Sequence, residues 1–175
     1  NLMEESTDLV KLRRDKLAQL CSKGINPYIN SFKVKDTFSS LADSFSENSK
    51  EELEGLRKQC LVAGRMMARR GHGKTTFCHI KDRTGQIQVY IRKDEIGEEN
   101  YEIFSLFDIG DFIGVEGMLS KTKTGELTIF AKKITLLAKS LLPLPEKWHG
   151  LKDVELRYRQ RYVDLMVNPE VKDVF

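Results

Sequence analysis

The chain has 175 residues, of which 40% are hydrophobic and 31% charged, and its formal net charge is +3. This composition matches one ordinary soluble domain with attached helices. No apolar run approaches the roughly 20 residues that a membrane span requires, and the N-terminus lacks the order of a secretory signal, so we expect a cytoplasmic protein with no membrane partner.

The cysteines argue against a disulfide framework and against zinc. Cys21, Cys60 and Cys78 are odd in number and far apart, and none belongs to a CxxC pair. We therefore expect them to be small packing residues, and we expect no metal site in the chain.

Residues 1–58 are predicted to form a helical extension. An amphipathic helix over residues 4–23 ends at Gly24, and proline in the following Asn26-Pro27-Tyr28 favours an extended connection. The apolar stripe of this helix, expected to pack on the rest of the protein, consists of Leu9, Leu12, Leu17 and Leu20.

Two shorter helices are predicted next. One covers residues 38–45. The other begins after Ser49, which forms an S-x-x-E capping pattern with Glu52, and continues to about Arg57.

Residues 59–139 are predicted to be a β domain. From Leu61 onward the apolar residues alternate, and glycine-containing turns separate the segments. The predicted strands are residues 61–69, 75–81, 86–92, 112–119 and 126–136, with a short helix near 101–107. Five strands with a helix after the third fit a five-stranded OB-fold barrel, so the fold class is mainly β with flanking helices. In the fifth strand the apolar residues shift from one set of alternating positions to the other, which predicts a bulge near Lys132 or Lys133.

Alternation also divides the residues of the second and third strands between two faces. The aliphatic set, expected in the core, is Cys78, Ile80, Ile87, Val89 and Ile91. The opposite, solvated face then carries Phe77, His79, Gln88 and Tyr90. Exposed aromatic rings beside an amide could stack and read a nucleic-acid base. The alternative is that Phe77 and Tyr90 are cross-strand packing partners covered by the N-terminal helix, and the pattern leaves both possibilities open.

Basic residues surround this predicted face and could hold phosphates. They are Arg65, Arg69, Arg70, Lys74, Lys121 and Lys123. Strict alternation in the first strand would direct Arg69 outward rather than Arg70. The Gly71-His72-Gly73-Lys74 loop lacks the spacing of a nucleotide P-loop.

The C-terminal part contains a proline-rich stretch and then a helical pattern. Residues 140–152 are expected to form an extended linker, and a helix is expected from Asp153. The chain stops soon after the run RYRQRYVDL, so we expect residues 153–175 to be only the start of a further domain.

Several segments carry a resemblance to a known family. The segments GINPY, VAGRMMARRGHGKTTFCHIKDRTGQIQVYI, LPLPEKWHGLKD and RYRQRYVDL resemble class II lysyl-tRNA synthetases of the bacterial type. The resemblance implies an enzyme that joins lysine to its tRNA with ATP and Mg²⁺, and a homodimer at full length. It assigns to this chain the anticodon-binding region, with no cofactor and no catalytic residue.

The resemblance also implies which residues bind the anticodon of tRNA(Lys). It places the stacking phenylalanine at Phe77, the glutamine that reads the central uracil at Gln88, and a base-contacting arginine at Arg70. Glu126 resembles a glutamate of the lysyl pocket, and Arg65 and His79 are secondary candidates. Two alternatives stay open, namely an aspartyl- or asparaginyl-tRNA synthetase domain and a stand-alone OB-fold that binds single-stranded nucleic acid.

Overall fold

The computed structural model describes residues 2–25 and 32–142. The predicted Asn26-Pro27-Tyr28 connection, most of the linker and the helix from Asp153 lie outside the described residues. In the described part, no helix is long and apolar enough to cross a membrane.

A closed five-stranded barrel forms the centre of the structure. Its strands are β1 (Gln59–His72), β2 (Thr75–Lys81), β3 (Gln86–Arg92), β4 (Phe112–Lys121) and β5 (Leu127–Ala138). They are arranged in the order β1-β2-β3-β5-β4, and β4 pairs with β1 to close the barrel. Every pairing is antiparallel except β3 with β5. The predicted fold class is confirmed, and β1 is longer than the sequence pattern indicated.

The barrel interior contains the aliphatic residues that alternation had selected. Cys78 and Ile80 of β2 and the three aliphatic residues of β3 are buried. The predicted bulge in β5 is confirmed, because Glu116 faces Lys133 whereas Gly117 faces Ala131, which leaves Lys132 as the extra residue. Such a bulge bends the strand and lets the sheet close into a small barrel.

Two short helices lie before the barrel and contribute to its core. Helix α2 (Phe38–Phe45) begins at a reciprocal cap, in which the Thr37 side chain accepts from the Ser40 backbone N–H and the Ser40 hydroxyl accepts from the Thr37 N–H. Helix α3 (Lys50–Leu56) begins as predicted at Ser49, whose hydroxyl accepts from the Glu52 N–H. The residues that these helices bury are Phe38, Leu41 and Leu53.

The helix predicted between the third and fourth strands is two short helices. They are α4 (Lys93–Ile96) and α5 (Glu98–Ser105), so the helical segment begins directly after β3. Phe104 of α5 is fully buried.

Helix α1 (Leu2–Ser22) matches the predicted N-terminal helix, but its apolar stripe is only partly packed. Leu20 is fully buried, whereas Leu9 is 46% and Leu12 57% exposed. The expectation that the whole stripe packs is therefore wrong for the described residues. Only the C-terminal end of the stripe reaches the core.

A buried ionic network joins α1 to the end of the barrel. The Lys139 ammonium, which is fully buried, donates to Asp108 Oδ2 at 2.6 Å and to Asp111 Oδ2 at 2.8 Å. Lys16 of α1 donates to the other oxygen of Asp108 at 2.6 Å. Arg13 donates to the Ser140 carbonyl oxygen at 3.1 Å. These contacts connect α1 to the loop before β4 and to the chain that leaves β5.

Candidate nucleic-acid interface

One row of side chains crosses the outer surface of the barrel. In the strand register Arg70 pairs with Phe77, Phe77 with Tyr90, and Tyr90 with Phe130, so the row runs over β1, β2, β3 and β5. The Phe77 and Tyr90 ring centroids are 4.5 Å apart, and those of Tyr90 and Phe130 are 5.4 Å apart. The three rings are half-buried and Arg70 is exposed. We call this set the aromatic row.

Arg70 faces outward because β1 contains a bulge. Met66 pairs with Ile80 but Ala68 pairs with His79, so Met67 is an extra residue and the alternation shifts by one position beyond it. The Arg70 guanidinium carbon lies over the Phe77 ring, 5.5 Å from its centroid.

Arg69 takes a structural role instead. It donates to the carbonyl oxygens of Phe104 and Phe107 at 3.2 Å and 2.9 Å, and its guanidinium lies 4.2 Å from the Phe104 ring centroid. Burial lowers the pKa of Arg69 below its usual value. The expectation from strict alternation, that Arg69 rather than Arg70 faces outward, is wrong.

A second row of polar residues lies beside the aromatic row. His79 pairs with Gln88, Gln88 with Thr128, and Thr128 with Ser120. Gln88 was expected on a solvated face, but it is only 2% exposed. Its side chain lies against the neighbouring strand β5, where Gln88 Nε2 donates to Thr128 Oγ1 at 3.0 Å. We call this set the polar row.

Two oxygen atoms of the polar row are buried without a hydrogen-bond partner among the described residues. They are Gln88 Oε1 and Ser120 Oγ. A buried acceptor without a partner costs about 1–3 kcal/mol, which a ligand donor could recover. The Gln88 carbonyl oxygen is thus an unused acceptor, but it is enclosed in this structure.

His79 and Glu126 meet at the edge of the polar row. His79 Nε2 lies 3.1 Å from Glu126 Oε1, and the two side chains are 26% and 47% exposed. The Thr128 hydroxyl, which accepts from Gln88, donates to the Glu126 carbonyl oxygen. His79 and Glu126 therefore flank Gln88 from neighbouring strands.

Other predicted basic residues are placed away from the aromatic row. Arg65 is half-buried and pairs with Lys81, which is four residues beyond Phe77 along β2, so the structure does not bring it close to that ring. Lys121, the last residue of β4, donates to the Ser46 carbonyl oxygen at 2.6 Å and thereby ties the end of β4 to the end of α2.

Sequence reasoning did not identify Phe130 as part of this surface. The alternation of Leu127, Ile129 and Ala131 toward the core would have predicted that Phe130 faces outward. What the alternation could not reveal is that β5 lies next to β3. The described residues contain no cluster of three or more side chains suited to binding a metal.

Comparison with known proteins shows what the chain is similar to. Residues 60–137 match the family described as the OB-fold nucleic acid binding domain of the tRNA anticodon type. The chain is 54% identical over 98% of its length to a lysine–tRNA ligase of Pelotomaculum thermopropionicum, of which it covers 33%. It is 52% identical to that of Halalkalibacterium halodurans and 53% identical to that of Lactococcus lactis subsp. cremoris, over 96% of the chain and 34% of each relative. The chain thus spans about a third of the length of the curated relatives it matches.

Proposed function

We propose that the chain is the anticodon-binding part of a lysine–tRNA ligase, and that its barrel binds the anticodon loop of tRNA(Lys) and reads the central uracil. The observation that carries the proposal is Phe77, which lies beside an exposed arginine, with a buried glutamine on the neighbouring strand two residues before its partner Tyr90. The carbonyl oxygen of that glutamine has no partner in the described structure. Stacking surfaces and unsatisfied polar groups are what an unpaired base requires from a protein.

In this proposal the central base stacks on Phe77. A stacked base would lie ~3.5 Å from the ring, so Arg70, now 5.5 Å from the Phe77 centroid, must move when the base enters on that side. Because Arg70 is exposed, the movement breaks no buried contact. Its guanidinium can then cover the other face of the base or pair with a phosphate.

Gln88 and Glu126 then supply the polar contacts to the base. Gln88 Oε1 accepts from the uracil N3–H, and Glu126 is a second acceptor at the same edge of the barrel. Gln88 is almost fully buried, so a base can reach it only after a rearrangement, and we propose that His79 and Glu126, which meet beside it, separate. That contact is partly exposed, and such pairs contribute only about 0–1 kcal/mol, so the cost of separation is small.

The activity of the whole enzyme is part of the same proposal. We assign lysine activation, ATP and Mg²⁺ binding and homodimer formation to the two thirds of the relatives' length that this chain does not match. The barrel would deliver the correct tRNA to that part, in the cytoplasm.

Binding of a lysine-tRNA anticodon stem-loop tests the proposal. We expect the wild-type chain to bind it more tightly than a stem-loop in which the central U is changed to C. We also expect Phe77→Ala to remove ~1–3 kcal/mol of binding free energy. The control is Val34→Ala, since Val34 is 50% exposed and lies outside the barrel strands, and this variant should bind like the wild type.

Other results would favour the alternative functions. If Phe77→Ala weakens binding but the U-to-C change does not, the barrel binds single strands without base preference, as a stand-alone OB-fold would. If neither change matters, Phe77 and Tyr90 are only packing partners. Aspartate and asparagine tRNAs share the central uracil, so their stem-loops measure how far the flanking bases contribute.

A further inference from the structure

A groove lies at the β5 end of the aromatic row. Its volume is about 170 Å³, and it is open to the surface. Tyr90, Phe130 and Met118 provide apolar walls, and all three are half-buried. Pockets for whole cofactors or drug-sized ligands usually measure roughly 300–1,000 Å³, so this groove suits a single ring system.

The groove continues the surface that carries Phe77. Phe77 and Phe130 belong to the same register row and are separated only by Tyr90. Two strand spacings correspond to ~10 Å, a distance that neighbouring nucleotides span when their bases are unstacked. Tyr90 and Phe130 meet at an interplanar angle of 73°, so these two rings do not stack face to face.

The charges at the rim suit a nucleotide. Arg92 and Lys132 are exposed cations beside the apolar walls, and Glu95 is an exposed carboxylate at the same rim. Arg92 lies 3.9 Å from Asp94, and these side chains are 46% and 69% exposed, so the pair is weak and Arg92 can turn toward a phosphate. A purely apolar ligand would gain nothing from these groups, whereas a base can stack inside while its phosphate remains at the rim.

We propose that this groove is a second base-binding subsite, which takes the nucleotide adjacent to the one stacked on Phe77 in the same unpaired loop. Phe130 is its stacking surface, and Arg92 and Lys132 hold the connecting phosphate. The inference rests on the proposed function, because it assumes that RNA lies along the aromatic row. It adds a stacking residue and a phosphate contact to the residues already assigned to anticodon binding.

The test combines protein variants with stem-loops that lack one base. We expect Phe130→Ala to weaken binding of the unmodified stem-loop about 5- to 100-fold. This loss of affinity should disappear when the stem-loop lacks the base on one side of the central uracil, because that base is then the one that occupies the groove. The loss from Phe77→Ala should persist on that same RNA. Phe130→Leu, which preserves most of the apolar volume, serves as the second variant in case Phe130→Ala does not fold.

Two lysines of β5 provide a matched control. Lys132 lines the groove, while the adjacent Lys133 is also exposed but does not. Lys132→Met should weaken binding and reduce the slope of log affinity against log salt by about 1, and Lys133→Met should leave both unchanged.

The subsite and the proposed function fail in distinguishable ways. If the wild-type chain binds the stem-loop but Phe130→Leu and Lys132→Met bind equally well, the subsite is refuted and the proposed function stands. If the loss of affinity caused by Phe130→Ala is equal on all of these RNAs, the subsite is refuted as well. If the wild-type chain does not bind the stem-loop at all, both fail.

Discussion

Replacing Lys139 by methionine is expected to destabilise the protein strongly. The Lys139 ammonium is fully buried and bonds to Asp108 and Asp111, and the Asp111 carboxylate is fully buried as well. Methionine fills much of the same volume but leaves the Asp111 carboxylate without its cation. Breaking a buried ion pair by removing one partner typically costs about 3–5 kcal/mol. That is a large part of the roughly 5–15 kcal/mol that stabilises a native protein.

The loss should depend on pH in a defined direction. Burial already raises the pKa of Asp111, although Lys139 and the N–H groups of Asp108 and Ser140 lower it. Without Lys139 the pKa of Asp111 in the folded protein rises further above its unfolded value of about 3.9. Between these two pKa values the folded variant binds more protons than the unfolded chain, so its stability falls as the pH rises. The loss of unfolding free energy relative to the wild type should therefore be smaller at about pH 5 than at about pH 7.5.

In the wild-type protein Asp108 should make stability depend on pH in the opposite direction. Burial alone would raise its pKa, but hydrogen bonds from Lys139 and Lys16 hold it below its usual value. The stability it contributes is present above its unfolded pKa and is lost as the pH falls through its folded pKa. In the variant Lys16 still pairs with Asp108, so we assign the new pH dependence mainly to Asp111.

Urea denaturation followed by far-UV circular dichroism measures both effects. The control is Lys133→Met, an exposed lysine of the same strand, which should change the free energy of unfolding by less than about 0.5 kcal/mol. Adding Asp111→Asn to Lys139→Met removes the uncompensated charge and should recover part of the loss. If Lys139→Met lowers the free energy of unfolding by less than about 1 kcal/mol, or by the same amount at both pH values, the reasoning is refuted.

Backbone and side-chain packing lead to three further predictions. Gly117→Ala should lower the melting temperature, because its Cβ would clash with the Phe130 carbonyl oxygen of β5. Gly55→Ala in helix α3, where a Cβ would have nothing within 4 Å, should raise it. Arg69→Met should lower the free energy of unfolding in urea, while Arg70→Met should change it by less than about 0.5 kcal/mol and weaken binding of the stem-loop. In a thiol-reagent titration of the folded protein only Cys21 should react quickly, because it is exposed and burial raises the pKa of the other two thiols to about 12.

Opposite results would identify which contact has been misjudged. Equal melting temperatures for the two glycine variants would mean that β4 and β5 can separate at little cost. Equal destabilisation by both arginine variants would contradict the bulge at Met67. Rapid reaction of all three thiols would mean that the barrel opens readily under native conditions.

The order of strands and helices was largely predictable from the sequence. Period-two alternation gave the bounds of β2 and β3, and the Ser49 pattern gave the start of α3. The shift of the apolar alternation in the fifth strand predicted a bulge near Lys132 or Lys133, and the structure places it at Lys132. All of these patterns are local, because alternation, capping and bulges involve residues that are near one another in the chain.

The candidate site was predicted in part. Alternation alone directed Phe77 and Tyr90 outward, and the resemblance to a family selected Arg70. The bulge at Met67 gave no recognisable pattern in the sequence, and it decides that Arg70 rather than Arg69 faces the aromatic row. The assignment of these residues to anticodon binding remains a prediction.

The sequence by itself determined which residues alternate, where strands and short helices begin, and which family the chain resembles. Only the tertiary structure decided that Gln88 is buried, that Phe130 extends the aromatic row, and that Lys139 joins the barrel to α1. Each of these outcomes depends on the strand or loop that closure of the barrel places beside a residue. Alternation specifies the face on which a side chain lies, but barrel closure specifies its neighbours, and burial depends on the neighbours.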